Sequence, residues 1–213
     1  MSDMGSPPLI HQPLRKDQAI VAFDFDGTLT VSDSFTRFLR WRAGPGGWFG
    51  GLAKMAPDLT SYIGHRDRGR LKAASVRQFL KGVPRTQLEA DAEAFAGQVW
   101  PGFIRYDALA CWNDWAKKGA YRVIVTASPE TTVAPFARRL GAEALLGSPL
   151  EFDADDRVAG AFAGPNCRGE EKVRRLRSAF GEDMKLTAAY GDTTGDTEML
   201  AMADEAGFRR FKG

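Results

Sequence analysis

The chain lacks most of the features that would mark it as a specialised secreted or nucleic-acid-binding protein. Its 213 residues include only two cysteines, Cys111 and Cys167, and their surroundings show no metal-binding spacing. The formal net charge of +2 is close to balance, so composition gives no argument for a nucleic-acid partner. The scarcity of cysteine favours a reducing compartment, and we expect a cytoplasmic protein.

Long apolar runs are also missing. No segment reaches the roughly 18 apolar residues that cross a bilayer, and the nearest, GGWFGGLAKMAPDL, is interrupted by Lys54, Pro57 and Asp58. Residues 1–18 are polar and contain prolines, without the apolar core of a signal peptide, and they predict a loose tail. The remaining length is enough for one sizeable core or for a core with a smaller inserted module.

Three short apolar segments share one pattern. AIVAF ends at Asp24, YRVIV ends at Thr126, and LTAAY ends at Gly191 and Asp192. Continuous apolar character of this length is typical of parallel strands that are covered on both faces. Helical patterns lie between the segments, including a helix that begins at Pro129 after Ser128 and ends at a glycine. The sequence therefore predicts an α/β fold with a doubly wound parallel sheet and a ligand crevice at the carboxyl ends of the strands.

Two regions interrupt this alternation. Residues 32–101 contain helical patterns but no convincing strand, and they predict a helical cap inserted over the crevice, with the segment AGPGGWFGG breaking the set of helices. Residues 145–164 have two apolar runs around an acidic turn and predict a β-hairpin beside the main sheet. The expected organisation is a tail at 1–18, a core formed by 19–31 and 102–213, and a cap at 32–101.

Four separated motifs, DFDGT, VTAS, GEEK and GDTTGD, fall at or near the predicted strand ends. The first delivers two acids, Asp24 and Asp26, to one place. Like charges at close range must be offset by positive groups or by a raised pKa, which makes the pair a candidate site. Because residues two apart on a strand point to the same side, both carboxyl groups could act on one substrate.

In their order and approximate spacing, these motifs resemble the haloacid dehalogenase superfamily of phosphohydrolases, and the resemblance covers the chain from the first strand to the last helix. It implies that Asp24 is a nucleophile that forms an aspartyl phosphate. It also implies that Asp26 protonates the leaving oxygen and then activates the water that cleaves the intermediate.

The same resemblance implies a Mg²⁺ ion as the cofactor. Its ligands would be Asp24, the backbone carbonyl of Asp26, Asp192 directly and Asp196 through water, a set of hard oxygen ligands that suits this ion. The alternative for Asp196 is that it only caps the helix that follows.

Several further site residues follow from the resemblance. Thr126 would donate its hydroxyl to a phosphoryl oxygen, and Lys172 would direct its ammonium at Asp24 and the phosphate. Gly27 permits a sharp turn whose backbone amides can hold phosphate oxygens. The alternatives are that Thr126 merely begins a turn, that Ser128 is first an N-cap with phosphate contact as an addition, and that Lys172 is an ordinary surface lysine.

The cap and the segments VIVTASPE and NCRGEEKV are similar to the branch that contains phosphoserine phosphatases and bacterial phosphatidylglycerophosphatases of type C. Asp33 falls where phosphoserine phosphatases carry an acid for the substrate ammonium, and Arg37 and Arg40 are further candidates for binding substrate. The chain departs from phosphoserine phosphatases at DFDGT, TAS and GDTTGD, where they typically have DxDST, Ser-Gly-Gly and GDGAND.

The substrate therefore stays open between a small phosphorylated metabolite, phosphoserine included, and a lipid head-group phosphate. Trp48, Phe49 and Leu52 in the cap could rest weakly on a membrane surface, which would suit the lipid substrate. A phosphotransferase on the same scaffold and a non-enzymatic binding module are the functional alternatives. The intact set of acids, hydroxyl and lysine argues against the binding module.

Overall fold

The computed structural model describes residues 9–10, 12–56 and 68–213. The strands are Leu9–Ile10 (β1), Ile20–Phe23 (β2), Tyr121–Pro129 (β3), Ala144–Ser148 (β4), Leu150–Phe152 (β5), Val158–Phe162 (β6), Leu186–Gly191 (β7) and Ala203–Phe208 (β8). Within the described ranges, six of them form one sheet in the order β1–β4–β3–β2–β7–β8. The strands from β4 to β8 in this order pair in parallel, and β1 pairs antiparallel with β4.

Helices cover both faces of this sheet. They are Ser34–Lys54 (α1), Arg68–Phe79 (α2), Arg85–Val99 (α3), Tyr106–Lys117 (α4), Glu130–Leu140 (α5), Glu170–Phe180 (α6) and Thr197–Ala201 (α7). Side chains alternate along β2, so Val21 and Phe23 join the apolar cluster on one face while Ile20 and Ala22 join the other. The predicted doubly wound α/β fold is confirmed, and its two covered faces explain why the strands read as continuous apolar runs.

The helices α1, α2 and α3 lie between β2 and β3 in the chain, in the range for which the sequence predicts a cap. We call residues 32–101 the cap. Its apolar faces are buried as predicted, with Phe38 and Leu88 fully enclosed. The helix α3 faces α5 of the core, where Glu93 forms ion pairs with Arg138 and Arg139. This contact fixes one side of the cap on the core.

The structure differs from the predicted strands in three places. The range predicted as a hairpin contains β4, a strand of the main sheet, and the hairpin itself comprises only β5 and β6. The strand β8 was not predicted at all. Within the predicted loose tail, Leu9–Ile10 pair with β4, while residues 1–8 and 11 lie outside the described residues.

The glycine-rich segment of the cap interrupts the first helix, as predicted. Two helical segments meet within α1 at Gly44, whose φ of 65° and ψ of 172° are not helical, and Pro45 stands directly after this break. The second half is held by stacking of Trp48 on Phe79, with ring centroids 5.1 Å apart. None of the helices in the described ranges is long and apolar enough to span a bilayer.

Candidate active site

Asp24 lies at the carboxyl end of β2, in the middle of the sheet. Its backbone N–H donates to the carbonyl of Tyr190 on β7 (2.9 Å), which continues the sheet pairing up to the acid itself. The chain then turns sharply through Phe25–Leu29, where Gly27 has a φ of 81°. The parallel arrangement brings the ends of β2, β3 and β7 together, as expected for the crevice of a doubly wound sheet.

Lys172 is the centre of a buried charge cluster behind Asp24. Its Nζ donates to Asp24 Oδ1 (2.6 Å), to Asp196 Oδ1 (2.6 Å) and to the backbone carbonyl of Val125 (2.7 Å). An ammonium has three protons, so all of them are engaged. With 2% of its side chain exposed, Lys172 is not the surface lysine of the alternative prediction.

The electrostatics of this cluster are set by burial and by the shared lysine. Burial raises the pKa of Asp24 to about 7, although Lys172 opposes the shift and the Asp196 and Asp26 carboxylates add to it. Burial alone would lower the pKa of Lys172, but Asp24 and Asp196 outweigh it and raise that pKa above its ordinary value. Burial likewise opposes ionisation of Asp196, yet Lys172 and the hydrogen bonds of the loop hold its pKa below the usual range. Asp24 is therefore the member of the cluster for which a further cation would matter most.

Asp26 is held by two donors. Its Oδ1 accepts from the backbone N–H of Ser34 (2.7 Å), and its Oδ2 accepts a short hydrogen bond from the hydroxyl of Ser128. Burial raises the pKa of Asp26 and the negative charge of Asp33 adds to the shift, while the charge of Lys72 and the hydrogen bonds from Ser128 and Ser34 oppose it. Both carboxylate oxygens are thus fixed in one orientation at the edge of the crevice.

Thr126 and Ser128, near the end of β3, are buried, whereas Ala127 between them lines the crevice. Thr126 is completely enclosed, and its Oγ1 accepts from the backbone N–H of Ser128 (3.0 Å). Ser128 does not cap the next helix as predicted: the N-cap of α5 is Pro129, without a side-chain cap, because the Ser128 hydroxyl is directed at Asp26.

Three carboxylates offer a place for a divalent cation. One ligand oxygen from each of Asp24, Asp192 and Asp196 lies within 4.8 Å of the others. Asp192 Oδ1 is buried and has no hydrogen-bond partner among the described residues. Burial raises the pKa of Asp192, and the Asp196 carboxylate adds to the shift. A buried, unpartnered carboxylate oxygen beside a second acid fits a hard cation with oxygen ligands.

Asp196 is already engaged on both of its oxygens. While Oδ1 accepts from Lys172, Oδ2 accepts from the backbone N–H groups of Asp192 (3.2 Å) and Thr193 (2.9 Å) and from the Thr193 hydroxyl. Its side chain does not cap α7, although the residue occupies the N-cap position. This arrangement orders the loop that carries Asp192, and the water-mediated contact of Asp196 to a metal stays a prediction.

Gly27 allows Asp192 to approach the turn after β2. A Cβ added to Gly27 would lie 2.4 Å from Asp192 Oδ2, and the φ of 81° favours glycine independently. Position 27 therefore favours glycine for two reasons. The turn needs a positive φ, and the absence of a side chain leaves room for Asp192, a candidate metal ligand.

A cavity of about 440 Å³ lies between the strand ends and the cap. The core contributes Asp24, Asp26, Asn166, Arg168, Asp192 and Thr193 to its walls, and the cap contributes Asp33, Phe35, Thr36, Leu71, Lys72 and Ser75. Asp33 is also the N-cap of α1, since its Oδ1 accepts from the N–H of Thr36 (2.7 Å).

Not all the predicted substrate-binding residues reach this cavity. Among the described residues that form its walls, Arg37 and Arg40 do not appear; both are exposed, and the Arg37 guanidinium lies 5.0 Å from the ring centre of Phe103. Ser128 and Lys172 lie behind the walls and act on the acids that line them.

Sequence reasoning did not single out nine of the described residues in the cavity wall as site residues, among them Thr193, Arg168, Asn166 and Lys72. Thr193 stands inside the GDTTGD motif and Arg168 directly before GEEK, so their positions next to recognised motifs were available as a signal. Asn166 accepts from the Ser148 hydroxyl through its Oδ1 (3.0 Å), which leaves its amide protons available. Lys72 lies in a cap helix with no recognisable motif, and nothing in the sequence distinguishes it from the other basic residues there.

The arrangement matches a known family. A family model described as haloacid dehalogenase-like hydrolase matches residues 21–201. The chain belongs to this family. The resemblance stated from the four motifs is thereby confirmed.

The chain is 58% identical to Protein CicA of Caulobacter vibrioides (strain NA1000 / CB15N) over 203 residues, which cover 95% of this chain and 89% of that protein. A phosphoserine phosphatase of Halobacterium salinarum (strain ATCC 29341 / DSM 671 / R1) is 29% identical over 192 residues, or 88% of this chain and 83% of that protein. A substrate-bound phosphoserine phosphatase structure shares the fold, with a TM-score of 0.60 at 17% identity over 89% of this chain and 84% of that one. Family membership identifies the chain as a haloacid dehalogenase-like hydrolase.

Proposed function

We propose that the chain is a Mg²⁺-dependent phosphomonoesterase that works through an aspartyl phosphate on Asp24. The observation that carries this proposal is the buried Asp24 carboxylate, which accepts from Lys172 and has one ligand oxygen within 4.8 Å of an oxygen of Asp192 and of Asp196. A carboxylate can attack a phosphate monoester only where positive groups offset the repulsion between the two anions.

Two steps follow from this assignment. In the first, an oxygen of Asp24 forms a bond to phosphorus, the bond from phosphorus to the leaving oxygen breaks, and a proton from Asp26 neutralises the departing alcohol. In the second, Asp26 takes a proton from a water molecule, and the oxygen of that water bonds to phosphorus. The bond between phosphorus and the Asp24 oxygen then breaks. Phosphate is released and both acids return to their starting states.

Asp24, Asp192 and Asp196, with the backbone carbonyl of Asp26, would hold the Mg²⁺ ion, with Asp196 acting through water. When bound, this ion supplies positive charge to the phosphoryl oxygens and keeps Asp24 ionised near neutral pH. Lys172 restrains Asp24 and Asp196, and the turn at Gly27 presents backbone amides to the phosphate. Thr126 anchors the backbone of Ser128, and its hydroxyl would contact a phosphoryl oxygen after a small rearrangement of that segment.

The substrate class is a small phosphorylated metabolite or a lipid head-group phosphate. The Halobacterium salinarum relative is named a phosphoserine phosphatase, and Asp33 in the cavity wall offers a carboxylate that suits a substrate ammonium. For the lipid substrate, Phe49 is 68% exposed, whereas Trp48 is stacked on Phe79. The metabolite is therefore the better supported of the two. We also propose that residues 32–101 form a cap, that residues 19–31 and 102–213 form the core, and that the protein is cytoplasmic.

Turnover of p-nitrophenyl phosphate with and without Mg²⁺ tests the chemistry. We expect activity that depends on the metal and falls about 1,000-fold or more in Asp24→Asn, because the variant lacks the nucleophile. Asp204→Asn, which changes an exposed acid, should behave like the wild type. Activity that survives Asp24→Asn, or an aspartyl phosphate trapped on another residue, would overturn the assignment.

A panel of phosphorylated metabolites, including phosphoserine and phosphatidylglycerophosphate, tests the substrate class. Adding an alcohol as acceptor separates hydrolysis from phosphotransfer. We expect release of inorganic phosphate both with and without the added alcohol. Transfer to the alcohol in place of release would favour a phosphotransferase.

A further inference from the structure

Lys72 connects the cap to the core at the end of β3. Its Nζ donates to the backbone carbonyl of Ala127 (3.1 Å) and to Ser128 Oγ (3.2 Å). The lysine belongs to α2, whereas both acceptors lie on the core strand β3. It also forms part of the wall of the cavity.

While Asp26 is ionised, the direction of the hydrogen bonds beyond Lys72 is fixed by the chemistry of the groups. An ammonium can only donate, so Ser128 Oγ must accept from Lys72. The single hydroxyl proton of Ser128 is then free to donate to Asp26 Oδ2, which is the contact that the structure contains. Lys72, Ser128 and Asp26 therefore form a chain with one direction, from the cap lysine to the carboxylate.

Both contacts to the Asp26 carboxylate depend on the cap. The Oδ1 contact comes from the backbone N–H of Ser34 at the start of α1, and the Oδ2 contact comes from Ser128, which Lys72 holds from α2. Ser128 is completely buried in this arrangement, and among the described residues Lys72 is the group that donates to its hydroxyl oxygen. A displacement of α2 from β3 would remove one restraint from Asp26 without touching Asp24 or the carboxylates around it.

We propose that Lys72 is a positioning residue that couples docking of the cap to the orientation of Asp26 through Ser128. This inference rests on the proposed function, because it takes Asp26 as the acid that protonates the leaving oxygen. Through Lys72, a residue outside the four motifs, the position of the cap would then influence this proton transfer.

The leaving group provides a test that a merely structural role of Lys72 would not affect. Departure of p-nitrophenolate needs little protonation, whereas an alkyl leaving group needs a well-placed acid. The two substrates are p-nitrophenyl phosphate and the best alkyl phosphate of the metabolite panel. The quantity to compare is kcat/KM for each, since it reports the steps up to departure of the leaving group. The variants are Lys72→Met, Lys72→Arg and Ser128→Ala, with Lys54→Met as a control at an exposed lysine of the cap.

For Lys72→Met we expect kcat/KM to fall about 10- to 100-fold with the alkyl phosphate and less than about 5-fold with p-nitrophenyl phosphate. Ser128→Ala should show the same selective loss, and the double variant should lose no more than the larger single loss, because both changes break one chain. Lys72→Arg should restore most of the alkyl activity, and Lys54→Met should match the wild type.

For Lys72→Met, equal losses of kcat/KM with both substrates, a rise in KM without a change in kcat, or no loss of kcat/KM would each overturn the proposal. Ser128→Ala keeps the proposal falsifiable if Lys72→Met does not fold. Failure of the proposed function itself would be seen separately, as a wild-type protein without metal-dependent turnover of either substrate.

Discussion

The two walls of the cavity are built differently. On the core side, Lys172 is 2% exposed and donates to three acceptors at 2.6–2.7 Å, two of them carboxylates. On the cap side, Lys72 is partly exposed, and its contacts to Ala127 and Ser128 are longer, at 3.1 and 3.2 Å. Loss of Lys172 would leave buried carboxylates without their cation, whereas loss of the partly exposed Lys72 should cost little stability. Under the proposed function, we expect the core side to fix the chemistry and the cap side to govern substrate choice.

Lys172→Met should have the largest effect, because it breaks the core side of this comparison. Removing the ammonium leaves Asp24 and Asp196 buried without their shared cation. We expect the free energy of unfolding of the metal-free protein to fall by about 3–5 kcal/mol, with turnover of p-nitrophenyl phosphate reduced about 100-fold or more. Urea unfolding and steady-state kinetics would measure the two losses.

Lys185→Met, at an exposed lysine, is the matched control and should leave both quantities unchanged. If Lys172→Met unfolds within about 1 kcal/mol of the wild type, the two carboxylates do not depend on the lysine, and the contrast between the walls fails.

The difference between the two walls also explains what the sequence could predict. Asp24 and Asp192 each follow an apolar strand directly, so their meeting at one edge of the sheet is a consequence of local pattern and parallel pairing. The contact between Lys72 and Ser128 joins residues 56 positions apart and depends on how the cap docks, which no local pattern encodes. Ser128 was predicted as a helix cap for the same reason, because its partner Asp26 is known only from the fold.

Local signals elsewhere in the chain had mixed outcomes. The glycines around Trp48 predict a break, and α1 is interrupted at Gly44, while Trp48 in its second segment stacks on Phe79 of α2. The strand β4 was merged into the predicted hairpin, although Gly147 and Pro149 interrupt the apolar run from Ala144 to Phe152. This second error was one of interpretation, because the sequence itself contains the signal that ends β4.

Asp24 gives a second prediction on the core side, in the dependence of stability on pH. Burial raises the pKa of Asp24 from 3.8 to about 7. A carboxyl with a higher pKa in the folded state stabilises the fold when protonated. That contribution is present below the unfolded pKa and is lost as the pH rises from about 4 to about 7. We expect Asp24→Asn to be more stable than the wild type at pH 8 without metal, by up to a few kcal/mol, and the difference to shrink towards pH 4.

Thermal unfolding in the presence of a chelator at several pH values would measure this difference, and Asp204→Asn serves as the control. Adding Mg²⁺ at pH 8 should raise the Tm of the wild type more than that of Asp24→Asn. If the difference in stability between the wild type and Asp24→Asn stays constant from pH 4 to pH 8, Asp24 does not titrate with a raised pKa in the folded protein.

Gly27→Ala should have an intermediate effect, since it acts on Asp192 through the turn and leaves the charges in place. The added Cβ would lie 2.4 Å from Asp192 Oδ2, so this carboxylate must move. We expect the Mg²⁺ concentration for half-maximal activity to rise about 10-fold or more, in line with the loss caused by displacing a metal ligand or its support.

Gly82→Ala is a close control, because Gly82 has a φ of 79° and no atom within 4 Å of an added Cβ. Both variants should lose about 1–2 kcal/mol of stability from the left-handed backbone, but only Gly27→Ala should weaken the response to Mg²⁺. Equal Mg²⁺ responses in the two variants would mean that Asp192 is not a ligand.

Arg37→Ala should have the smallest effect, and it sharpens the comparison on the cap side. Arg37 was predicted to bind substrate, but its guanidinium lies over the ring of Phe103, 5.0 Å from the centre, and not in the wall of the cavity. We expect its removal to lower the free energy of unfolding by about 0.5–1 kcal/mol and to change kcat/KM less than about 2-fold for every phosphate in the panel. Arg40→Ala, at an exposed arginine of the same helix, is the matched control. A loss of more than about 5-fold for one substrate, absent from Arg40→Ala, would mean that the cap rearranges on binding to bring Arg37 into the site. Substrate choice would then be made by a larger part of the cap than the residues that line the cavity in this structure.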